Sequence, residues 1–185
     1  MGIISFVKGD KPASSSVSDS MFRNKAGTNK SAQQSIPREP LSASVVAEMT
    51  NGVRIENGLS ILSRNSLLDA VAEARVADMF EKQYIGHVSP TGEQASDVAQ
   101  RVGYKYKVIA ENITKGNFQN NRKIIDSWMQ SPGHKSNILS EQVAEIGVAL
   151  SKGRFQGGDA CIAVQIFGLQ SPQVSTSRCP NPPAG

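Results

Sequence analysis

Apolar residues recur at helical spacing in the first half of the ordered-looking chain and at alternating spacing in the second. From Ser42 the pattern becomes that of a folded domain. Ser44 caps a short helix running to about Arg54, and Asn57-Gly58 stops it. Residues 66–84 form the most secure helix. No Gly or Pro occurs between Leu59 and Ile85, and Leu68, Ala72, Val76, Met79 and Phe80 mark one face, widened by Leu67 and Val71. A stripe that wide predicts burial over much of the circumference. Gly86 ends this helix, and His87 follows at once.

A third helix fits 94–102, closed by Gly103, and a fourth fits about 120–130, with Ile124, Ile125, Trp128 and Met129 facing inward before Ser131-Pro132-Gly133 breaks it. Residues 108–113 read as a strand. Ile146, Val148 and Leu150 alternate in a second, and residues 160–167 make a third, joined to it by the Gly-rich turn Gly153–Gly158. That turn precedes no helix, which argues against a phosphate loop. Helices first and strands last predict an α+β domain, a three-layer α-β-α sandwich about a mainly antiparallel sheet.

Composition separates this domain, residues 42–170, from its ends. Residues 1–41 are a Ser- and Lys-rich leader, too poor in apolar residues to offset the entropy of ordering, and 171–185 form a Pro-rich tail. The net charge of +4 belongs to the ends: residues 41–170 carry thirteen basic and thirteen acidic side chains. Nucleic-acid binding by the body is therefore not expected. No apolar run approaches the ~18 residues of a membrane span. Met1–Lys8 lacks the basic start and long apolar run of a secretion signal. Cys161 and Cys179 leave two readings equally open, a disulfide or independent thiols.

The chain contains two histidines, His87 and His134, both in Gly- and Pro-flanked segments read as loops. Imidazole suits both metal ligation and proton transfer near neutral pH, but the two lack the i, i+4 spacing of a helical zinc motif. Glu111 shares a pleat face with Ile109 and Ile113, so alternation either buries it or sets it at the sheet edge. A buried carboxylate needs a partner, for which a histidine is suitable; an edge carboxylate facing water is the competing reading. Asp97 lies one turn into the third helix, where an acid interacting with the helix dipole is the simpler reading.

Between about Ser44 and Leu169 the chain resembles the CAP superfamily (cysteine-rich secretory, antigen 5 and pathogenesis-related 1 proteins) in its bacterial SCP-like form. The pieces occur in order: Asn51-Gly52-Val53-Arg54 with Gly58-Leu59, His87-Val88-Ser89-Pro90 with Asp97 and Gly103-Tyr104, Glu111-Asn112-Ile113, then Trp128 through Leu139 around Ser131-Pro132-Gly133-His134. Gly147-Val148 and Gln165-Ile166-Phe167 supply the closing strands. The resemblance implies the CAP fold and a cleft lined by His87, Asp97, Glu111 and His134. Asp97 stands where many relatives have Glu, and their cysteine framework is absent.

Three expectations follow. The cleft binds a divalent ion such as zinc through His87 and His134, with Asp97 or Glu111 as a further ligand or a base, giving a metal-dependent, peptidase-like hydrolase. Alternatively it is a binding module for a small, lipid-like or cell-envelope ligand, with or without metal, and the family implies an extracellular or envelope location. In the third, the tetrad is purely structural. A metal-free route through Ser89 or Ser131 lacks the G-x-S-x-G elbow. The binding module is preferred, because the resemblance fixes the site better than any reaction.

Overall fold

The structure, a computed structural model, describes Gly2–Ile3 and residues 40–172. Helix α1 (Ala43–Glu56) starts from Ser42, whose side chain accepts from Val45 N, rather than from Ser44. It ends at Asn57 and a left-handed Gly58 (φ 74°), the stop the sequence predicts. Helix α2 (Ser66–Glu81) is capped by Asn65, whose side chain accepts from the N–H groups of Leu67 and Leu68. It closes earlier than the expected 84, at Lys82. Helix α3 (Ala95–Arg101) begins at Gln94, and α4 (Asn121–Met129) at Asn120.

The strands are longer than their apolar cores suggest. β3 (Tyr106–Gly116), β4 (Glu145–Phe155) and β5 (Gly158–Gln170) form the antiparallel centre of the sheet. The β4–β5 turn is tighter than predicted. Only Gln156 and Gly157 lie between the strands, both at positive φ (47° and 86°), and Gly153 belongs to β4. Two-residue parallel strands complete the sheet, β1 (Gly2–Ile3) beside β3 and β2 (Ser63–Arg64) beside β4, giving the order β1-β3-β5-β4-β2.

Alternation along the strands divides the apolar residues between two helical layers. Ile109, Ile113, Ile162, Val164 and Ile166 meet α2 and α3, whereas Ala110, Ile146, Val148, Ala163 and Phe167 meet α1, α4 and a further helix, α5 (Pro132–Ile138). The fold is an α+β, three-layer α-β-α sandwich. Among the described residues no helix is long and apolar enough to cross a membrane.

Helix α5 corrects the sequence reading of Ser131-Pro132-Gly133 as a helix break leading into a loop. Ser131 is its N-cap and Pro132 occupies the first helical position, where a missing N–H costs nothing. His134 is therefore a helical residue. Apart from Gly2–Ile3, the expected flexible leader falls largely outside the described residues, as does most of the tail. Cys179 and its pairing with Cys161 also fall outside them; Cys161 itself is buried on β5.

Candidate functional site

Glu111 and Asn112 are neighbours on β3, so the pleat sends their side chains to opposite faces of the sheet. Each meets the loop or helix that carries one histidine.

On the α2 face, Glu111 Oε2 lies 2.8 Å from His87 Nδ1. Its other oxygen accepts from Arg75 Nε at 2.9 Å. Arg75 is fully buried in α2 and uses every arm of its fork: Nη1 donates to Tyr84 Oη at 2.8 Å and Nη2 to the Gly86 carbonyl at 2.7 Å. Tyr84 in turn donates to Asp78 Oδ2 at 2.5 Å, and Lys82 Nζ stands 2.5 Å from Asp78 Oδ1. Burial opposes the Arg75 charge, but Glu111 and Tyr84 outweigh it and hold the guanidinium above its usual pKa. Burial, together with the hydrogen bond to Asp78, pushes the Tyr84 phenol up to about 12.

A carboxylate that accepts from Arg75 also accepts from His87, so Nδ1 is the donor of this pair, and in the neutral ring that leaves the lone pair on Nε2. The His87 side chain is 25 % exposed and Glu111 6 %, so the imidazole reaches solvent with its carboxylate behind it. Ile85 and Val88, exposed apolar residues, flank Gly86-His87.

On the other face, Asn112 Nδ2 donates to the His134 carbonyl at 3.1 Å and to Gln165 Oε1 at 3.2 Å. Asn137, one turn beyond His134 on α5, donates to Asn112 Oδ1 at 2.9 Å, and Gln165 donates to Thr50 Oγ1 at 2.6 Å. These amides are buried and mutually satisfied, which fixes α5 against the sheet. Burial, then the nearby His87, lowers the His134 pKa, so its ring is neutral at neutral pH.

The four residues implied by the resemblance thus fare differently. His87 and Glu111 are hydrogen-bonded, and His134 lies near enough to His87 for that ring to contribute to lowering the His134 pKa. Asp97 is exposed and caps α3, accepting from Gln94 N at 2.8 Å. Among the described residues no group of three or more His, Cys, Asp or Glu side chains is arranged to hold a metal ion. Both Glu111 oxygens are engaged, one by Arg75 and one by His87.

Of the two serines of the metal-free route, Ser131 is the N-cap of α5 and Ser89 is taken up by a turn. Ser89 is buried, and its Oγ accepts from the N–H groups of Thr91 (3.2 Å) and Glu93 (3.0 Å). It organises the turn after His87. Replacing Ser89 by Ala is expected to cost about 1 kcal/mol in chemical denaturation and to leave cleft binding unchanged. A loss of ligand affinity without a loss of stability would restore Ser89 to the site.

Sequence reasoning missed Arg75, Tyr84, Asn112, Asn137 and Gln165. Arg75 left a trace, since it falls on the apolar stripe of α2 between Ala72 and Met79.

In this α-β-α sandwich, β3 ties one histidine-bearing segment to each of its two faces. The chain belongs to the cysteine-rich secretory protein (CAP) family, whose pattern matches residues 47–167. YkwD of Bacillus subtilis is 38% identical over 103 residues, covering 56% of this chain and 40% of YkwD. An extracellular SCP-domain protein of Bacillus anthracis superposes with a TM-score of 0.59 at 26% identity, over 68% of this chain and 39% of that one. An outer surface protein of Borrelia burgdorferi shares the fold (TM-score 0.60, 18% identity), over 69% of this chain and 92% of that one. The chain therefore spans well under half the length of YkwD and of the Bacillus anthracis protein.

Proposed function

We propose that this CAP domain is a binding module whose cleft takes a divalent ion, or the polar end of a small or lipid-like ligand, between His87 and His134. The observation that carries the reading is the placement of Glu111 behind His87, which leaves Nε2 as a free donor. A carboxylate behind a ligating imidazole fixes its tautomer and raises its basicity. The donor set fits a metal in part. It supplies two imidazole nitrogens, and the remaining positions would fall to water or to ligand oxygens, which a bound ion would polarise. Exposed Ile85 and Val88 beside His87 suit a ligand with an apolar portion. Secretion or envelope residence draws support from the extracellular relative in Bacillus anthracis.

Titration calorimetry with zinc tests this. Wild type is expected to bind, and the His87→Ala/His134→Ala variant to bind at least about tenfold more weakly, roughly 1.4 kcal/mol. Equal affinities sink the metal reading.

A hydrolase is the second reading, because a carboxylate on Nδ1 with Nε2 free is also the arrangement of a general base. Turnover of a model peptide or ester that vanishes in both single histidine variants would favour it over simple binding.

A further inference from the structure

We infer that Arg75 is the positioning residue of the cleft, setting both the place and the tautomer of His87 from beneath. The inference rests on reading the cleft as the working site, but its test reads the His87 ring itself and so stands apart from metal binding.

His87 belongs to a short connection between α2 and α3, and three groups in or bound to that connection converge on one guanidinium. Arg75 holds Tyr84 Oη, three residues before His87, and the carbonyl of Gly86, immediately before it. Its Nε holds the carboxylate that accepts from the His87 ring. One rigid planar group therefore fixes the loop backbone and the imidazole's partner together. A planar fork with donors in set directions can do this, whereas a lysine ammonium is a single point of charge.

The interaction with Glu111 also assigns the proton. Because Arg75 donates to Oε1, the carboxylate is turned so that Oε2 meets His87 Nδ1, and a carboxylate can only accept from that nitrogen. Without the guanidinium, Glu111 is free to turn away from His87, and the ring proton is free to move to Nε2. The cleft would then present an N–H in place of a lone pair. Arg75 is completely buried and touches no ligand, so its action on the cleft is wholly through these contacts.

Nitrogen-15 spectra of the imidazole rings in the full chain, without added metal, test the assignment. Wild type is expected to show His87 as the Nδ1–H tautomer. Arg75→Lys keeps the charge but cannot span the three partners, and is expected to shift His87 to a mixture of both tautomers. Tyr84→Phe removes one partner of Arg75 and leaves Glu111 and Gly86 held. It is expected to lose stability while keeping the wild-type tautomer.

An Arg75 that is merely structural lowers the melting temperature in both variants and leaves the His87 tautomer unchanged. That result, or an Nε2–H tautomer in wild type, overturns the inference. Should Arg75→Lys not fold, the Arg75 Nε–H resonance of wild type decides. Slow exchange with solvent and cross-peaks to the Gly86-His87 protons support the assignment, and rapid exchange overturns it.

Discussion

Glu111→Ala is expected to destabilise the domain by about 3–5 kcal/mol, the range for removing one partner of a buried ion pair. The size comes from what is left behind. The Arg75 side chain has no exposure to water, so without Glu111 its charge loses its close counter-ion: Asp78 is 3.9 Å away and already engaged with Lys82 and Tyr84. A cost of this order consumes a large share of the ~5–15 kcal/mol that keeps an ordinary domain folded. Urea denaturation measures it, and a loss below about 1 kcal/mol would show that Arg75 does not depend on Glu111.

Glu111→Gln refines the same experiment. Its amide oxygen still accepts from Arg75, while its NH₂ donates to His87 Nδ1 and moves the ring proton to Nε2. It is therefore expected to cost less stability than Glu111→Ala and yet to remove the lone pair on which the proposed zinc binding rests.

Gly147→Ala is the second large effect, and its origin is steric. A methyl group there would lie 2.1–2.3 Å from Leu68 C, Leu68 O and Asp69 N, which are backbone atoms in the first turn of α2. That turn cannot retreat. Asp69 Oδ1 accepts from Val148 N at 2.9 Å, and Asn65, the cap of α2, donates to Glu145 at 2.7 Å. Leu68, Val71 and Ala72 behind it are wholly buried. Overpacking costs about 1–3 kcal/mol where side chains can adjust, and a backbone-to-backbone clash belongs at or above the upper end.

Gly52→Ala is the control. It lies inside α1, nothing stands within 4 Å of its prospective methyl, and its helical setting favours Ala by ~0.5–1 kcal/mol. Thermal melts should move in opposite directions for the two alanines. A Gly147→Ala protein melting with wild type would mean that α2 does not sit against β4 as described.

How much of this was legible depended on whether a signal was periodic or relational. The α2 stripe, the β3 alternation around Glu111 and the left-handed Gly58 and Gly103 all follow from local chemistry, and sequence reading places them correctly. β1 and β2 have two residues each and exist because a neighbouring strand is there to pair with them, so they leave no periodic trace. Helix α5 was hidden because Pro132 and Gly133 discourage a helix everywhere except its first turn.

The site shows the same division. Glu111 stands out by its pleat position and a histidine as a suitable partner, but its second partner, Arg75, emerges only when the fold brings α2 onto β3. Asp97 had a local explanation from the start, a role at the start of α3, and a local role is the one it fills. Asn112 offered no local clue, because what it binds is the backbone of a residue on another element.

The adjacency of Glu111 and Asn112 constrains how the gene can change length. A single inserted or deleted codon within β3 ahead of this pair would exchange the faces to which the two side chains point. The carboxylate would be delivered to α5 and the amide to Arg75, undoing both histidine supports at one stroke. Changes in length are tolerated near the ends of β3, where the pairing with β5 already shifts register between Tyr106 and Val108, and not next to Glu111 and Asn112.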